Sequence, residues 1–318
     1  MSDWFRSHHK LSVVLGILVV FILLLGILAF KPFSLKETYT PDPAESYEEA
    51  LARIEAIQAA EAELPDLSPE CGSILLTHEE KVETVIVFLH GFTSCPDQFA
   101  ALGEEYFNQG YNVFIPRQPR HGLQEFDGAP LKGLTAEELA AFGTGVADIA
   151  QGLGDRVVVA GLSDIDLAVP IAPFLGIGFI PRPLTRPLTN LILLLPDLHQ
   201  WWDPVHQLSN PLSAPYSYRG YHLHSLFENL RLGFAAEEDA KKVKPAVGGI
   251  LVITNANDES VNNEVVAEFE QLWLEHGEQF LQTYQFEKGL GIPHDMITVD
   301  RPDGRVEIVY PKLLELIH

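Results

Sequence analysis

The sequence predicts an α/β fold, in which helices cover both faces of a mostly parallel sheet and a cap is inserted between two of its strands. Short runs rich in β-branched residues alternate with amphipathic stretches from residue 82 onward, which is the pattern of such a sheet. Residues 173–244 interrupt the alternation with a segment rich in proline, aromatic and aliphatic residues. The apolar run at residues 11–30 predicts one transmembrane helix ahead of the domain.

The apolar run at residues 11–30 contains no charged residue. A helix of about 20 apolar residues spans a hydrocarbon core, so we expect an uncleaved anchor. A cleaved signal peptide and a buried core helix are the alternatives, and the run lacks the small-residue cleavage site of a signal peptide. Basic residues on its two sides nearly balance, but the N-terminal amine favours an inside N-terminus. Residues 1–10 would then be a cytoplasmic tail, with the domain on the extracytoplasmic side.

The segment between the anchor and the domain, residues 31–70, is predicted to be a linker and a spacer helix. Residues 31–43 are polar and contain prolines, whereas residues 44–63 are rich in Ala, Glu, Leu and Ile and favour a helix. Pro65 and Pro69 end that helix. The domain itself is expected at residues 71–318.

Strands and helices are predicted to alternate along the domain. The strands are expected at residues 82–89, 111–116, 156–160, 167–171, 249–254 and 281–286. The helices are expected at residues 99–109, 135–153, 263–276 and 305–317, with Thr135 and Glu138 as a capping box. Residues 173–244 are expected to cap the C-terminal edge of the sheet, where such folds bind ligands. An apolar cap there indicates a substrate with a hydrophobic part, although plain packing against the sheet is the alternative.

Charge and cysteine content restrict the functional classes. The formal net charge of -23 argues against nucleic acid as a partner, because an acidic surface repels phosphate groups. Histidines and cysteines do not cluster with zinc spacing, so the sequence predicts no metal site. Cys71 and Cys95 are either two buried thiols or one disulfide, which requires a domain outside the cytoplasm.

Two glycine-containing turns follow predicted strands. His-Gly-Phe-Thr at residues 90–93 comes directly after the first strand, and a glycine there lets the backbone aim N–H groups at a developing oxyanion. Gly-Leu-Ser at residues 161–163 comes directly after the third strand, where a sharp turn would lift the Ser163 hydroxyl above the sheet. Serine after glycine is also common in ordinary turns.

An acid and a histidine follow the last two predicted strands. Asp258 lies in the segment NANDESV, where it could orient a histidine. Alternatively, it is a helix N-cap or a turn aspartate ahead of the helix that begins at Asn263. His294, in the segment PHD, is a candidate general base, with the other histidines as competitors. Ser163, Asp258 and His294 thus occur in this order, each shortly after a predicted strand.

In order and spacing, the segments HGFTSCPDQF, YNVFIPRQPRHG, GLS, NDESV and PHD resemble those of the α/β-hydrolase superfamily. The resemblance covers residues 73–318 and is nearest to the carboxylesterase, monoacylglycerol-lipase and serine-aminopeptidase-like branches. It implies Ser163 as nucleophile, His294 as base and Asp258 as the residue that orients the base. It also implies that the backbone N–H groups of Phe92 and Asp164 form the oxyanion hole, and that no cofactor is required.

The sequence departs from the superfamily motif G-x-S-x-G directly after the serine. Ile165 stands at the second glycine position, and the next predicted strand begins only about three residues after Ser163. Parallel neighbours ordinarily need a crossover of about a dozen residues, so the helix that should follow the nucleophile is missing. A deletion removed that helix, or residues 166–171 form an irregular substitute, or Ser163 is not the nucleophile.

These features together predict a membrane-anchored serine hydrolase that cleaves carboxylic esters, with a small ester or a lipid-like molecule as substrate. The same triad also hydrolyses peptides and amides, and the fold does not fix the substrate. A tethered protein without catalytic activity is the competing class, because the turn around Ser163 is altered.

Overall fold

The computed structural model describes residues 2–36, 39–160, 166–242, 244, 247–277 and 280–317. Its strands are β1 (Ile74–Leu76), β2 (Val82–Phe88), β3 (Asn112–Ile115), β4 (Gly154–Ala160), β5 (Leu167–Ala168), β6 (His199–Trp201), β7 (Gly220–His222), β8 (Gly249–Asn255) and β9 (Leu281–Phe286). Within these ranges a seven-stranded sheet has the order β1-β3-β2-β4-β5-β8-β9. β1 is antiparallel to β3 and the other neighbours are parallel, which confirms the predicted mostly parallel sheet.

Helices cover both faces of this sheet, as predicted. The helices of the described residues are α1 (Ser2–Ala29), α2 (Tyr47–Ala62), α3 (Ala100–Phe107), α4 (Ala136–Leu153), α5 (Arg182–Ile192), α6 (Leu223–Ala240), α7 (Asn263–Glu275) and α8 (Val306–Leu316). Successive side chains of a strand point to opposite faces, so β2 supplies two cores. Val85 and Val87 join the core formed with α2, α4 and α7, whereas Ile86 and Phe88 join the core formed with α3 and α8.

The predicted elements and the observed ones agree best where the sequence signals are strongest. Thr135 precedes α4 and its side chain accepts a hydrogen bond from the Glu138 N–H at 3.2 Å. The segment predicted as a cap contains α5, the β6–β7 pair and α6. The strand predicted at 167–171 is shorter: β5 ends at Ala168, and Ile171 makes an isolated bridge to Ile253 of β8.

The first helix, α1, presents large apolar side chains that are mostly exposed, from Val13 to Leu28. Its C-terminal end is held at the cap, because the Asn190 side chain of α5 donates hydrogen bonds to the carbonyls of Ala29 (2.9 Å) and Lys31 (3.0 Å). Among the helices of the described residues, none has both the length and the apolar composition of a membrane span. The anchor at residues 11–30 stays a prediction from the sequence.

The segment predicted as a linker and spacer contacts the domain along its length. Phe33 is buried in the cap, where it stacks on Phe234 of α6 with ring centroids 5.3 Å apart. The hydroxyl of Tyr39 donates to the Asp148 carboxylate of α4 at 2.8 Å. α2 then packs against α4, and its Ile54 is fully buried in the core that also contains β2. The helix predicted as a spacer therefore forms part of the domain core.

The connection between β4 and β5 consists only of residues 161–166, although the two strands are parallel neighbours. α4, before this connection, and α6, the next helix along the chain that contributes to the core containing α4, contact each other directly. The guanidinium of Arg231 on α6 forms ion pairs with Glu137 of α4 and, at 2.7 Å, with Glu228. Glu228 also accepts a hydrogen bond from the N–H of Ala136 at 2.9 Å, at the start of α4. The first turn of α4 is thus joined to the middle of α6.

Candidate active site

Two of the predicted site residues meet at the C-terminal edge of the sheet. Asp258 follows the end of β8, and His294 lies in the loop after β9. Nδ1 of His294 lies 2.7 Å from Oδ2 of Asp258. The side chain of His294 is 36% exposed and that of Asp258 is 0% exposed. The imidazole therefore remains accessible, while its carboxylate partner is enclosed by protein.

Backbone hydrogen bonds fix the orientation of the Asp258 carboxylate. Its Oδ1 accepts from the N–H of Ser260 at 2.8 Å and from the N–H of Val261 at 3.1 Å. Burial raises the pKa of Asp258, but the hydrogen bond and charge of His294 and these two N–H groups outweigh it, so the pKa is lowered. Asn262, rather than Asp258, caps α7, so Asp258 is not the helix N-cap. The bonds from Ser260 and Val261 do make it a turn aspartate, in addition to its contact with His294.

The surroundings of His294 favour its charged form. Burial lowers the pKa of the imidazole, but the hydrogen bond to Asp258 and the charges of Asp295 and Asp258 raise it more strongly. Arg301 opposes them with its positive charge. The guanidinium of Arg301 is itself occupied, because it donates to Asp295 at 2.6 Å and to both carboxylate oxygens of Asp303 at 2.9 Å. The net result is a His294 pKa above its usual value.

Two glutamine side chains stabilise the oxyanion loop, residues 90–94, which contains the predicted motif at residues 90–93. Oε1 of Gln98 accepts from the Gly91 N–H at 2.7 Å. The backbone N–H of Gln118 donates to Nε2 of the buried His90 at 3.0 Å, and its side-chain amide donates to the His90 carbonyl. The N–H of Phe92 makes no hydrogen bond to any described residue. Phe92 therefore keeps a donor available, as an oxyanion-hole residue must.

Residues of the cap also form hydrogen bonds with the oxyanion loop. Thr93 has a φ of 68°, a left-handed conformation that is unfavourable for a β-branched residue. Its hydroxyl accepts a hydrogen bond from Nε1 of Trp202 at 3.1 Å, and its carbonyl accepts from the N–H of Tyr218 at 2.8 Å. These two bonds from the cap stabilise the loop in its strained conformation.

A disulfide joins Cys71 to Cys95 and so links the loop to the segment before β1. Both cysteines are fully buried and pack against Ala214 and Tyr216 of the cap. Gly122 lies close to this bridge, because a Cβ added at that glycine would approach the Cys71 Cβ to 2.6 Å. The bridge therefore lies where the loop, the cap and the chain before the sheet meet.

A cavity of about 1000 Å³ opens beside His294 and has the size of a small-molecule site. One wall is the sheet edge, with His294 and Thr298, and another is the loop from His90 to Ser94. The cap closes the remaining side with mostly apolar and aromatic residues, among them Phe174, Ile177, Trp202, Tyr221 and Leu226. The candidate base thus faces a cavity with polar groups on one side and apolar groups on the other.

Two predicted site residues, Ser163 and Asp164, lie outside the described residues, as does Ile165. β4, which precedes them, ends at Ala160 on the same edge of the sheet as β2 and β8.

Three residues of the candidate site were not predicted from the sequence: Gln98, Gln118 and Ser94. Ser94 lines the cavity, and its hydroxyl is buried without a hydrogen-bond partner in the described structure. Gln98 and Gln118 lie in two of the five segments whose order and spacing resemble the superfamily, but hydrophobic periodicity gives no signal for such loop residues.

No protein-family model and no curated protein sequence matches the chain. Solved structures do match its fold. One is a metagenome-derived lipolytic enzyme from the pair LipS and LipT, with a TM-score of 0.58 and 18% sequence identity over 79% of this chain and 98% of the other.

The chain shares its fold with solved lipolytic enzymes. A monoacylglycerol lipase from Paleococcus ferrophilus matches with a TM-score of 0.53 and 15% identity, over 76% of this chain and 96% of the other. A soluble variant of monoglyceride lipase from Saccharomyces cerevisiae matches with a TM-score of 0.53 and 11% identity, over 76% of this chain and 90% of the other. At these identities the likeness concerns the fold, so the activity of this chain has to be argued from its site.

Proposed function

We propose that this protein hydrolyses carboxylic esters with Ser163, His294 and Asp258 as its triad. The observation that supports this best is the 2.7 Å contact between His294 and Asp258 at the wall of the large cavity. Ser163 comes three residues after the end of β4, and β4 lies two strands from β8. Two strand spacings are about 10 Å, and three extended residues reach about 10 Å. The chain length is therefore compatible with a contact between Ser163 and His294.

In the proposed reaction, Nε2 of His294 accepts the hydroxyl proton while Ser163 Oγ attacks the carbonyl carbon of the ester. Asp258 holds the imidazole through Nδ1 and stabilises its positive charge. The N–H of Phe92 and that of Asp164 donate to the developing oxyanion. His294 then gives its proton to the departing alkoxide. It next deprotonates a water molecule, which attacks the acyl-enzyme, releases the carboxylic acid and restores Ser163.

A substrate with a hydrophobic part fits this cavity better than a wholly polar one. The cap side is formed by apolar and aromatic side chains, so a hydrophobic part of the substrate placed there would lose contact with water. The polar side holds His294 and the oxyanion loop, where the ester carbonyl is expected. We therefore place small esters or lipid-like esters ahead of peptides and amides as substrates.

Ser163→Ala tests the proposal directly. The variant should lose p-nitrophenyl ester hydrolysis by about 10⁴-fold or more, because the nucleophile is removed. It should also lose labelling by a fluorophosphonate, which reacts as a serine oxygen attacks phosphorus and fluoride departs. Ser209→Ala, an exposed cap serine, serves as the matched control and should behave like the wild type. A folded wild-type protein that hydrolyses no ester and never labels would support the non-catalytic alternative instead.

The raised pKa of His294 predicts how activity depends on pH. His294 accepts a proton only when neutral, so kcat/KM should fall as the pH drops through its pKa. Because that pKa is raised, the midpoint should lie above about 6.5, the usual value for histidine. Asp295→Asn removes a charge that raises the pKa and should move the midpoint down. A midpoint that stays fixed in this variant, or lies below the usual value in the wild type, would argue against His294 as the base.

We also propose that residues 11–30 attach the domain to a membrane with the domain on the extracytoplasmic side. The exposed apolar side chains of α1 support attachment, since water contacts them in the isolated chain. The Cys71–Cys95 disulfide supports the orientation, because such bonds persist in oxidising compartments. Deletion of residues 1–30 should release the protein from membranes into the soluble fraction. Retention of the deleted protein on membranes would contradict the proposal.

A further inference from the structure

We propose that a second chamber, between α4 and α6, binds the acyl chain of the ester substrate. The chamber has a volume of about 460 Å³, within the range of small-molecule sites. The inference rests on the proposed ester hydrolysis and extends it, since it assigns the substrate to esters with a chain of several methylenes. The large cavity would then hold the ester group and the alcohol part.

The chamber lies beside two helices that flank the short β4–β5 connection in the chain. These are α4, before the connection, and α6, the next helix along the chain that contributes to the core containing α4. Arg231 in the middle of α6 forms ion pairs with Glu228 and with Glu137 in the first turn of α4, but the described side chains of the two helices leave a space beside them. Leu139 of α4 and Leu232 of α6 line the space that remains.

The chamber and the large cavity of the candidate active site share part of their lining. Leu89, Gln118, Asn229 and Leu232 line both the chamber and the large cavity. Leu89 precedes the oxyanion loop directly, so the shared wall begins one residue from His90. The chamber and the large cavity therefore adjoin at these four side chains, beside the loop where the ester carbonyl is expected.

The lining suits an alkyl chain rather than a polar group. Pro41 and Pro43 of the N-terminal segment, together with Leu139, Ala140 and Phe142 of α4, give it a mostly apolar surface. The acidic group in the lining, Asp148, already accepts hydrogen bonds from the Tyr39 hydroxyl at 2.8 Å and the Asp42 N–H at 2.6 Å. The Asp148 carboxylate is thus occupied within the protein, and an alkyl chain would not leave it unsatisfied.

Two variants that fill the chamber test this assignment. Ala140 and Thr144 line it one helical turn apart, so Ala140→Phe and Thr144→Phe should each place a ring in its space. Ala141→Phe is the matched control, because Ala141 is equally half-buried on α4 but does not line the chamber. Wild-type kcat/KM should rise from p-nitrophenyl acetate to p-nitrophenyl decanoate, below the micellar concentration of the latter. Each buried methylene contributes about a four-fold gain.

The kcat/KM of the filling variants should fall about 10-fold or more for the decanoate, which corresponds to roughly two methylenes displaced from the chamber. For the acetate, kcat/KM should stay within about two-fold of the wild type. Circular dichroism identifies any variant that fails to fold. If one of the two filling variants does not fold, the other one tests the assignment. Unchanged chain-length preference in a folded filling variant would overturn the chamber while leaving ester hydrolysis intact.

A binding measurement separates this proposal from the proposed function. Calorimetric titration with decanoate requires no catalysis, so it applies even if no ester is hydrolysed. Decanoate should bind the wild type and the Ala141→Phe control, and bind the filling variants at least 10-fold more weakly. Equal binding to all of them, or no binding to the wild type, would overturn the chamber whatever the outcome for ester hydrolysis.

Discussion

Asp258→Asn should lower kcat/KM for a p-nitrophenyl ester by about 10⁴-fold while leaving the fold intact. The reason lies in the two N–H groups, of Ser260 and Val261, that donate to Oδ1 of Asp258. The amide oxygen of the asparagine would remain on these donors, which places its NH₂ group against Nδ1 of His294. Nδ1 would then have to accept a hydrogen bond, so the imidazole proton would sit on Nε2. In that tautomer His294 cannot accept a proton from Ser163.

The matched control is Asp295→Asn, which removes a neighbouring carboxylate that makes no hydrogen bond to the imidazole of His294 in the described structure. Its activity at the pH optimum should stay within about 10-fold of the wild type. Unfolding in urea should give nearly the same midpoint for both variants, so that lost activity is not lost structure. An Asp258→Asn variant that retains activity within about 10-fold of wild type would show that the Asp258–His294 contact does not take part in catalysis.

Deletion of residues 1–70 should leave a domain that does not fold, whereas deletion of residues 1–30 should leave the fold intact. The larger deletion removes Ile54 from the core, and truncating a buried aliphatic side chain alone costs about 2–5 kcal/mol. It also removes Glu61, which accepts hydrogen bonds from the Ser73 hydroxyl at 2.8 Å and from Nε of Arg117 at 3.0 Å. An unpaired buried charge costs about 3–5 kcal/mol, so the sum approaches the whole stability of a typical domain.

Urea unfolding followed by circular dichroism measures this difference. The protein without residues 1–30 should unfold cooperatively, and Ile54→Ala in that background should be less stable by about 2–5 kcal/mol. Leu64→Ala is the control, because Leu64 is exposed and its truncation should change stability by less than about 0.5 kcal/mol. Cooperative unfolding of the protein without residues 1–70 at the same urea midpoint would refute a structural role for α2.

The sequence predicts the sheet well because its central strands are buried on both faces and appear as unbroken apolar runs. β2, β8 and β9 begin at the predicted residues, and the positions of Asp258 and His294 follow from where β8 and β9 end. Their contact could be expected because parallel neighbours bring their C-terminal ends to one edge. Local composition and chain order are sufficient for this part of the fold and the site.

Other features depend on contacts between distant residues and leave no local signal. The helical pattern of α2 is weakly amphipathic and indicates a helix but not a partner, so the burial of Ile54 against α4 could not be foreseen. The support of the oxyanion loop by Gln98 and Trp202 involves loop and cap residues that have no periodicity. β1 was not predicted, and β5 was predicted to be longer than it is, because strands of two or three residues are too short to show a pattern.

The single disulfide has a practical consequence for preparing the protein. The chain contains two cysteines, so within one molecule only the pairing of Cys71 with Cys95 is possible. Refolding from inclusion bodies therefore needs an oxidant and dilution to prevent bonds between molecules, but no isomerase to correct wrong pairings. Material purified from a reducing cytosol would instead be a mixture of thiol and bridged forms, and a quantitative thiol assay on each batch would show whether activity measurements are comparable.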